Sequence, residues 1–161
     1  MKVVCDSTIL IGLTKIGKIN LLKKIYDEVY IPEAVFVEVS IKGRGKIGSK
    51  EIINAEWIHK KAVKDKRIVE MLSAELGRGE AEVLVLGKEL NADWLIIDDE
   101  RARTTAVSAG FQIIGLAGIL LLAKQLRFIP SVKSLLDELR NKNFRLSDEI
   151  YKEILKKAGE R

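Results

Sequence analysis

Val3-Val4-Cys5-Asp6-Ser7 is an apolar run that stops on an acid, and Trp94-Leu95-Ile96-Ile97-Asp98 does the same much later in the chain. Short, continuously apolar runs read as strands buried on both faces, the habit of parallel sheets. Asp6 and Asp98 then stand just past the carboxyl ends of two such strands. In open α/β sheets that edge binds ligands, at the point where strand order reverses.

The segments around these runs alternate in type. After the first strand, Ser7 or Thr8 can cap a helix carrying Ile9, Leu10 and Leu13, which Gly17 breaks. A helix over 18–26 precedes the strand Val29-Tyr30-Ile31, and a helix over 32–40 opens on Pro32, with Val35, Phe36 and Val39 on its apolar side. The stretch over 42–50 holds three glycines and four basic residues and reads as an exposed loop. A short edge strand within 56–63, with Trp57 and Ile58 turned inward, comes next. Helices over 66–76 and 80–90 follow, separated by Gly77-Arg78-Gly79. The strand over 94–97 leads to a polar helix over 100–109, a strand over 112–114 and an apolar helix over 118–126. Helices over 130–140 and 147–157 close the chain. Strands alternating with helices predict a three-layer α/β/α sandwich around a mostly parallel sheet.

At 161 residues the chain is long enough to bury a core, and it reads as one domain over 1–161 with the C-terminal helices, about 130–158, packed on it. Its lone cysteine, Cys5, excludes an internal disulfide or a Cys-based zinc site and fits a reducing cytoplasm. Asp6 interrupts any signal-like apolar run, and 113–123 is too short to span a bilayer, so no membrane role is expected. The charge of +5 leans toward polyanionic partners. The late apolar helix and the two terminal helices suggest a homodimer.

Asp6, Glu38, Glu80 and Asp98 each have mostly apolar neighbours and converge on one crevice in this layout. Carboxylates gathered in that way call for a hard divalent cation, Mg2+ or Mn2+, which takes oxygen ligands and can activate water against a phosphodiester without histidine. The one histidine, His59, falls on the edge strand and cannot supply a triad or a zinc cage. Each acid has a plainer reading. Asp6 can cap the helix that follows it, Glu80 can sit as a favourable charge at a helix start, and Asp98-Asp99 can form a turn. Glu38 resists that treatment, since burying it unpaired among Val35, Phe36, Val37 and Val39 would cost several kcal/mol. Glu82 lies about 200° round the helix from Glu80 and faces away from it. Arg101 and Arg103 hold phosphate or pair with Asp99 and Glu100, with pairing the favoured reading. Lys42, Arg44 and Lys46, just after Glu38, are either solvated or grip a nucleic-acid backbone.

Val3-Val4-Cys5-Asp6-Ser7, the stretch from Ile31 through Glu38 to Val39, Gly79-Glu80-Ala81-Glu82 and Leu95-Ile96-Ile97-Asp98-Asp99 together resemble the PIN domain, a family of metal-dependent ribonucleases, over nearly the whole chain. Gly77-Arg78-Gly79-Glu80-Ala81-Glu82, Asp98-Asp99-Glu100-Arg101-Ala102-Arg103 and the late Ser147-Asp148-Glu149 are similar to a prokaryotic PIN-like subfamily. The resemblance implies that Asp6, Glu38, Glu80 and Asp98 form the acidic quartet that binds magnesium or manganese and carries catalysis. Ser7, Asp99 and Glu82 are secondary candidates, Ser7 as an aid in orienting Asp6. At the third acidic position the ordinary family pattern has Asp, and this chain has the longer Glu80. The resemblance further implies RNA as substrate and an antitoxin protein as partner, the chain being the toxin half of the pair. The alternative is a non-catalytic module of the same fold that binds RNA or protein.

Overall fold

The computed structural model describes residues 1–42 and 49–161. In chain order the elements are β1 (Lys2–Cys5), α1 (Ser7–Lys15), α2 (Asn20–Ile25), β2 (Glu28–Pro32), α3 (Glu33–Lys42), α4 (Ser49–Ile53), β3 (Ile58–Lys61) and α5 (Lys66–Leu72). They continue as α6 (Arg78–Glu89), β4 (Trp94–Ile96), α7 (Glu100–Ser108), β5 (Ile113–Ile114), α8 (Leu116–Gln125), α9 (Lys133–Asn141) and α10 (Asp148–Lys157). All strand pairings are parallel, and the sheet runs β3-β2-β1-β4-β5 with helices on both faces. This is the α/β/α sandwich that the alternating pattern predicts.

The apolar runs explain which strands are central. Val3, Val4 and Cys5 of β1 and Leu95 and Ile96 of β4 are fully buried, as residues covered by helices on both faces must be. β3 lies at the edge, where only Ile58 is buried and His59, Lys60 and Lys61 are exposed, charges that discourage further strand pairing. β1 pairs with β2 on one side and β4 on the other, Val3 lying opposite both Val29 and Trp94. Strand order therefore reverses at β1, and the crevice beside its carboxyl end is the one that opens between β1 and β4.

Several helix boundaries differ from the sequence expectation, and tertiary hydrogen bonds account for two of them. α8 starts at Leu116 rather than 118 because Asp98, from the end of β4, accepts the Leu116 N–H at 3.3 Å. α9 starts at Lys133 rather than 130, where Glu160 takes the N–H groups of Val132 and Lys133 at 2.8 and 3.1 Å. Arg78 and Gly79, expected in a break, belong to the first turn of α6 behind an extended Gly77. Ser49 and Lys50, expected in the basic loop, open α4. Arg44 and Lys46 lie outside the described residues, as does the side chain of Lys42.

The apolar stretch over 118–126 is core in large part. Ile119, Leu120 and Ala123 are buried, and α8 packs against α1 and α10. α9 and α10 are joined by the Tyr151 hydroxyl donating to Asp137 at 2.6 Å and by Arg140 stacking on the Tyr151 ring.

Candidate active site

Asp6 follows β1, and its backbone N–H continues the ladder to Ile96 O at 3.0 Å. The residue is 4% exposed. Oδ1 accepts the Ile9 N–H at 3.0 Å, so the residue does cap α1, and Oδ2 meets the backbone N–H of Asp98 at a longer 3.4 Å. Capping uses one face of the carboxylate and leaves the other turned to the acids. Burial above all pushes the Asp6 carboxyl up to about 8; the Ile9 and Asp98 N–H groups resist the rise, and the facing charges of Asp98 and Glu80 add to it.

Asp98 is raised as well, chiefly by burial, against the pull of the Leu116 N–H and of Arg103. The Arg103 guanidinium stands 3.9 Å from Asp98 Oδ1 and donates at 3.4 Å to Ile97 O. Its partner is therefore Asp98, not the Asp99 or Glu100 expected from sequence proximity, because one helical turn carries it back over the end of β4. Asp99 instead caps α7 by accepting the Ala102 N–H at 2.9 Å, the turn role open to it. Arg101 is exposed and has no ion pair among the described residues.

Glu38, midway along α3, reaches the start of α1, at the residue next to Asp6. Its Oε2 accepts the Ser7 hydroxyl at 2.6 Å. Ser7 thus orients Glu38 rather than Asp6, since the Asp6 carboxylate is already held by main-chain donors. Glu80 lies in the first turn of α6 and adds its charge to the field at Asp6.

Glycines make room for these groups. A Cβ at Gly79 would lie 2.3 Å from Glu38 Oε1, one at Gly77 the same distance from Glu80 Oε2, and one at Gly115 the same distance from Asp98 Oδ1. Glu38 lies beside Gly79 and Glu80 beside Gly77, while the charges of Glu80 and Asp98 both act on Asp6. By sequence, Gly77 and Gly79 read as a break between two helices. Their place directly before Glu80 was the available signal of a tight approach to a polar group.

Glu82 turns away from Glu80, as its helical angle requires, yet it is only 8% exposed. Its oxygens accept the Ala34 N–H and the Arg78 Nε–H, each at 3.1 Å. Sequence reasoning also missed a groove that leaves the site at Asp98, past Arg103 and between α7 and α10, lined by the basic Arg140, Arg145 and Lys157 as well as the acids Glu149 and Glu153.

The donors are all hard oxygens, the set suited to magnesium or manganese. Among the described residues no three Asp, Glu, His or Cys side chains close on one point as they stand. The acids are instead tethered singly, by Ser7, by main-chain N–H groups and beside glycines. Asp6 has no ion pair among the described residues, so the two raised carboxyls gain from any cation that enters.

An all-parallel α/β/α sheet with acids gathered where its strand order reverses is the layout of a nuclease-like domain. A family model described as a PIN domain matches residues 2–160, and the chain belongs to the PIN domain family. No curated protein matches the chain significantly. Among the described residues no helix is long and apolar enough to cross a membrane.

Proposed function

We propose that the protein is a magnesium- or manganese-dependent ribonuclease that hydrolyses RNA phosphodiester bonds by attack of water. One observation supports this above the rest: Asp6 is buried at the switch point of the sheet facing Asp98 and Glu80, an arrangement that costs stability and gains nothing structurally beyond a cap. Asp6, Asp98, Glu80 and Glu38 would hold the ion. When bound, it supplies positive charge to the phosphodiester and its attacking water. Ser7 keeps Glu38 turned inward, and Arg103 beside Asp98 is placed to meet a phosphate at the mouth of the groove.

In this reading the biological partners are RNA, an antitoxin protein that holds the nuclease in check, and a second copy of the chain, all in the cytoplasm. Leu126 and Phe128, 47% and 40% exposed after α8, supply apolar surface for self-association.

The test is cleavage of a varied RNA set by purified protein with manganese, with and without excess EDTA. Cleavage should need the metal. Activity that survives the chelator, or no cleavage of any RNA, favours the non-catalytic module instead.

A further inference from the structure

We infer that Glu82 is a positioning residue that locks α3 to α6 and so sets where the Glu38 carboxylate stands, without binding the ion itself. The functional consequence depends on the metal reading above; the geometry does not. Both Glu82 oxygens are committed, one to the Ala34 N–H at 3.1 Å and the other to Arg78 Nε at 3.1 Å. Arg78 is held in turn by Glu70 of α5 at 3.0 Å. One buried carboxylate therefore ties α3, α5 and α6 together.

The helical repeat turns that tie into a register. Ala34 lies in the first turn of α3, where N–H groups lack partners within the helix and an anion is favourable. Glu38 is four residues on and so shares a face with Ala34, while Gly79 is three residues before Glu82 and shares a face with it on α6. Two contacts fix the crossing: Ala34 with Glu82, and Glu38 with Gly79. The first needs an acceptor of glutamate length. The second needs glycine, because any Cβ there would come within 2.3 Å of Glu38 Oε1. Glu38 thus has one oxygen on Ser7 and the other against the backbone of α6, at a depth set by Glu82.

Three variants separate positioning from mere folding. Glu82→Gln keeps an acceptor for Ala34 and gives up only the one for Arg78, Glu82→Ala removes both, and Gly79→Ala leaves the tie intact but pushes the Glu38 carboxylate aside. Alanine is the better helix former, so Gly79→Ala should still fold. Manganese affinity, measured by calorimetry on folded protein, should fall roughly 10- to 100-fold in Glu82→Ala and Gly79→Ala, the usual loss when a ligand's orienting partner goes. Glu82→Gln should stay near wild type. Carbon-13 NMR of the Glu38 side-chain carboxyl should show a shift in the two impaired variants and little in Glu82→Gln. Should Glu82→Ala fail to fold, Glu82→Asp, one methylene short of Ala34, takes its place. Unchanged manganese affinity with an unmoved Glu38 resonance in Glu82→Ala overturns the inference. A wild type that binds no manganese counts against the metal reading alone, and the Glu38 resonance then decides: moved in Glu82→Ala it supports positioning, unmoved it overturns it.

Discussion

Two carboxylates at opposite ends of the chain are treated in opposite ways. Glu160, with a side chain 15% exposed, accepts from the Lys124 ammonium, the Ser131 hydroxyl and the N–H groups of Val132 and Lys133 at 2.7 to 3.1 Å. Burial alone would raise its carboxyl; those donors, led by Lys124, outweigh burial and hold it at about 2. Asp6 is much more deeply buried, its neighbours include two further acids, and burial above all pushes it up to about 8. The fold thus satisfies the half-buried Glu160 in full, where it joins α8, the start of α9 and the chain end. At the switch point it leaves the charge poorly compensated. Such local loss of stability is what the proposed metal site requires.

The sharpest break in this comparison is chemical. Asp6→Asn and Asp98→Asn should each reduce manganese-dependent RNA cleavage to background while circular dichroism stays that of the wild type. Glu160→Gln should leave cleavage unchanged, because Glu160 is not among the residues that form the site. Equal loss in all three variants would mean that the two carboxylates do not differ in kind.

Next in size is the structural side. Glu160→Ala leaves the Lys124 ammonium only the Ala158 carbonyl and strips two helix-start N–H groups of their acceptor, which should cost on the order of 2–4 kcal/mol. For a chain of this length that lowers the melting temperature by roughly 5–10 °C. The pH dependence has a definite sign. A carboxyl held below its ordinary value of 4.5 stabilises the fold above that value, and the contribution is lost as pH falls toward about 2. Melts between pH 5 and pH 2 should therefore converge for wild type and Glu160→Ala, whereas a gap that stays constant would remove Glu160 from the acid response.

The smallest effect is the most specific. Asp98→Asn keeps an oxygen for the Leu116 N–H while removing a charge that faces Asp6, so metal-free protein should gain on the order of 1 kcal/mol, about 2–4 °C. Wild type should gain from manganese by mass action, up to about 2.7 kcal/mol at a hundred times the dissociation constant, and the variant much less. If Asp98 matters only as the cap of α8, the substitution will lower the melting temperature or leave it flat, and manganese will not distinguish the two proteins.

The sequence alone fixes the parallel sheet and the placing of Asp6 and Asp98, because strand burial and an acid at a strand's end are local patterns. It also buries Cys5, as a residue inside the first apolar run. Only the tertiary structure decides what each remaining acid does. Glu82 meets Ala34 across 48 residues and Glu160 meets Val132 across 28, separations at which no pattern of spacing signals a partner. Nor can spacing tell that Ser7 serves Glu38, that Arg103 serves Asp98, or that Gly79 lies within a helix to admit a carboxylate. A helix start satisfied by a distant carboxylate needs no local cap, so its boundary moves to where the donor is met. That is why α8 and α9 begin where Asp98 and Glu160 reach them, and not where the chain's own punctuation would place them.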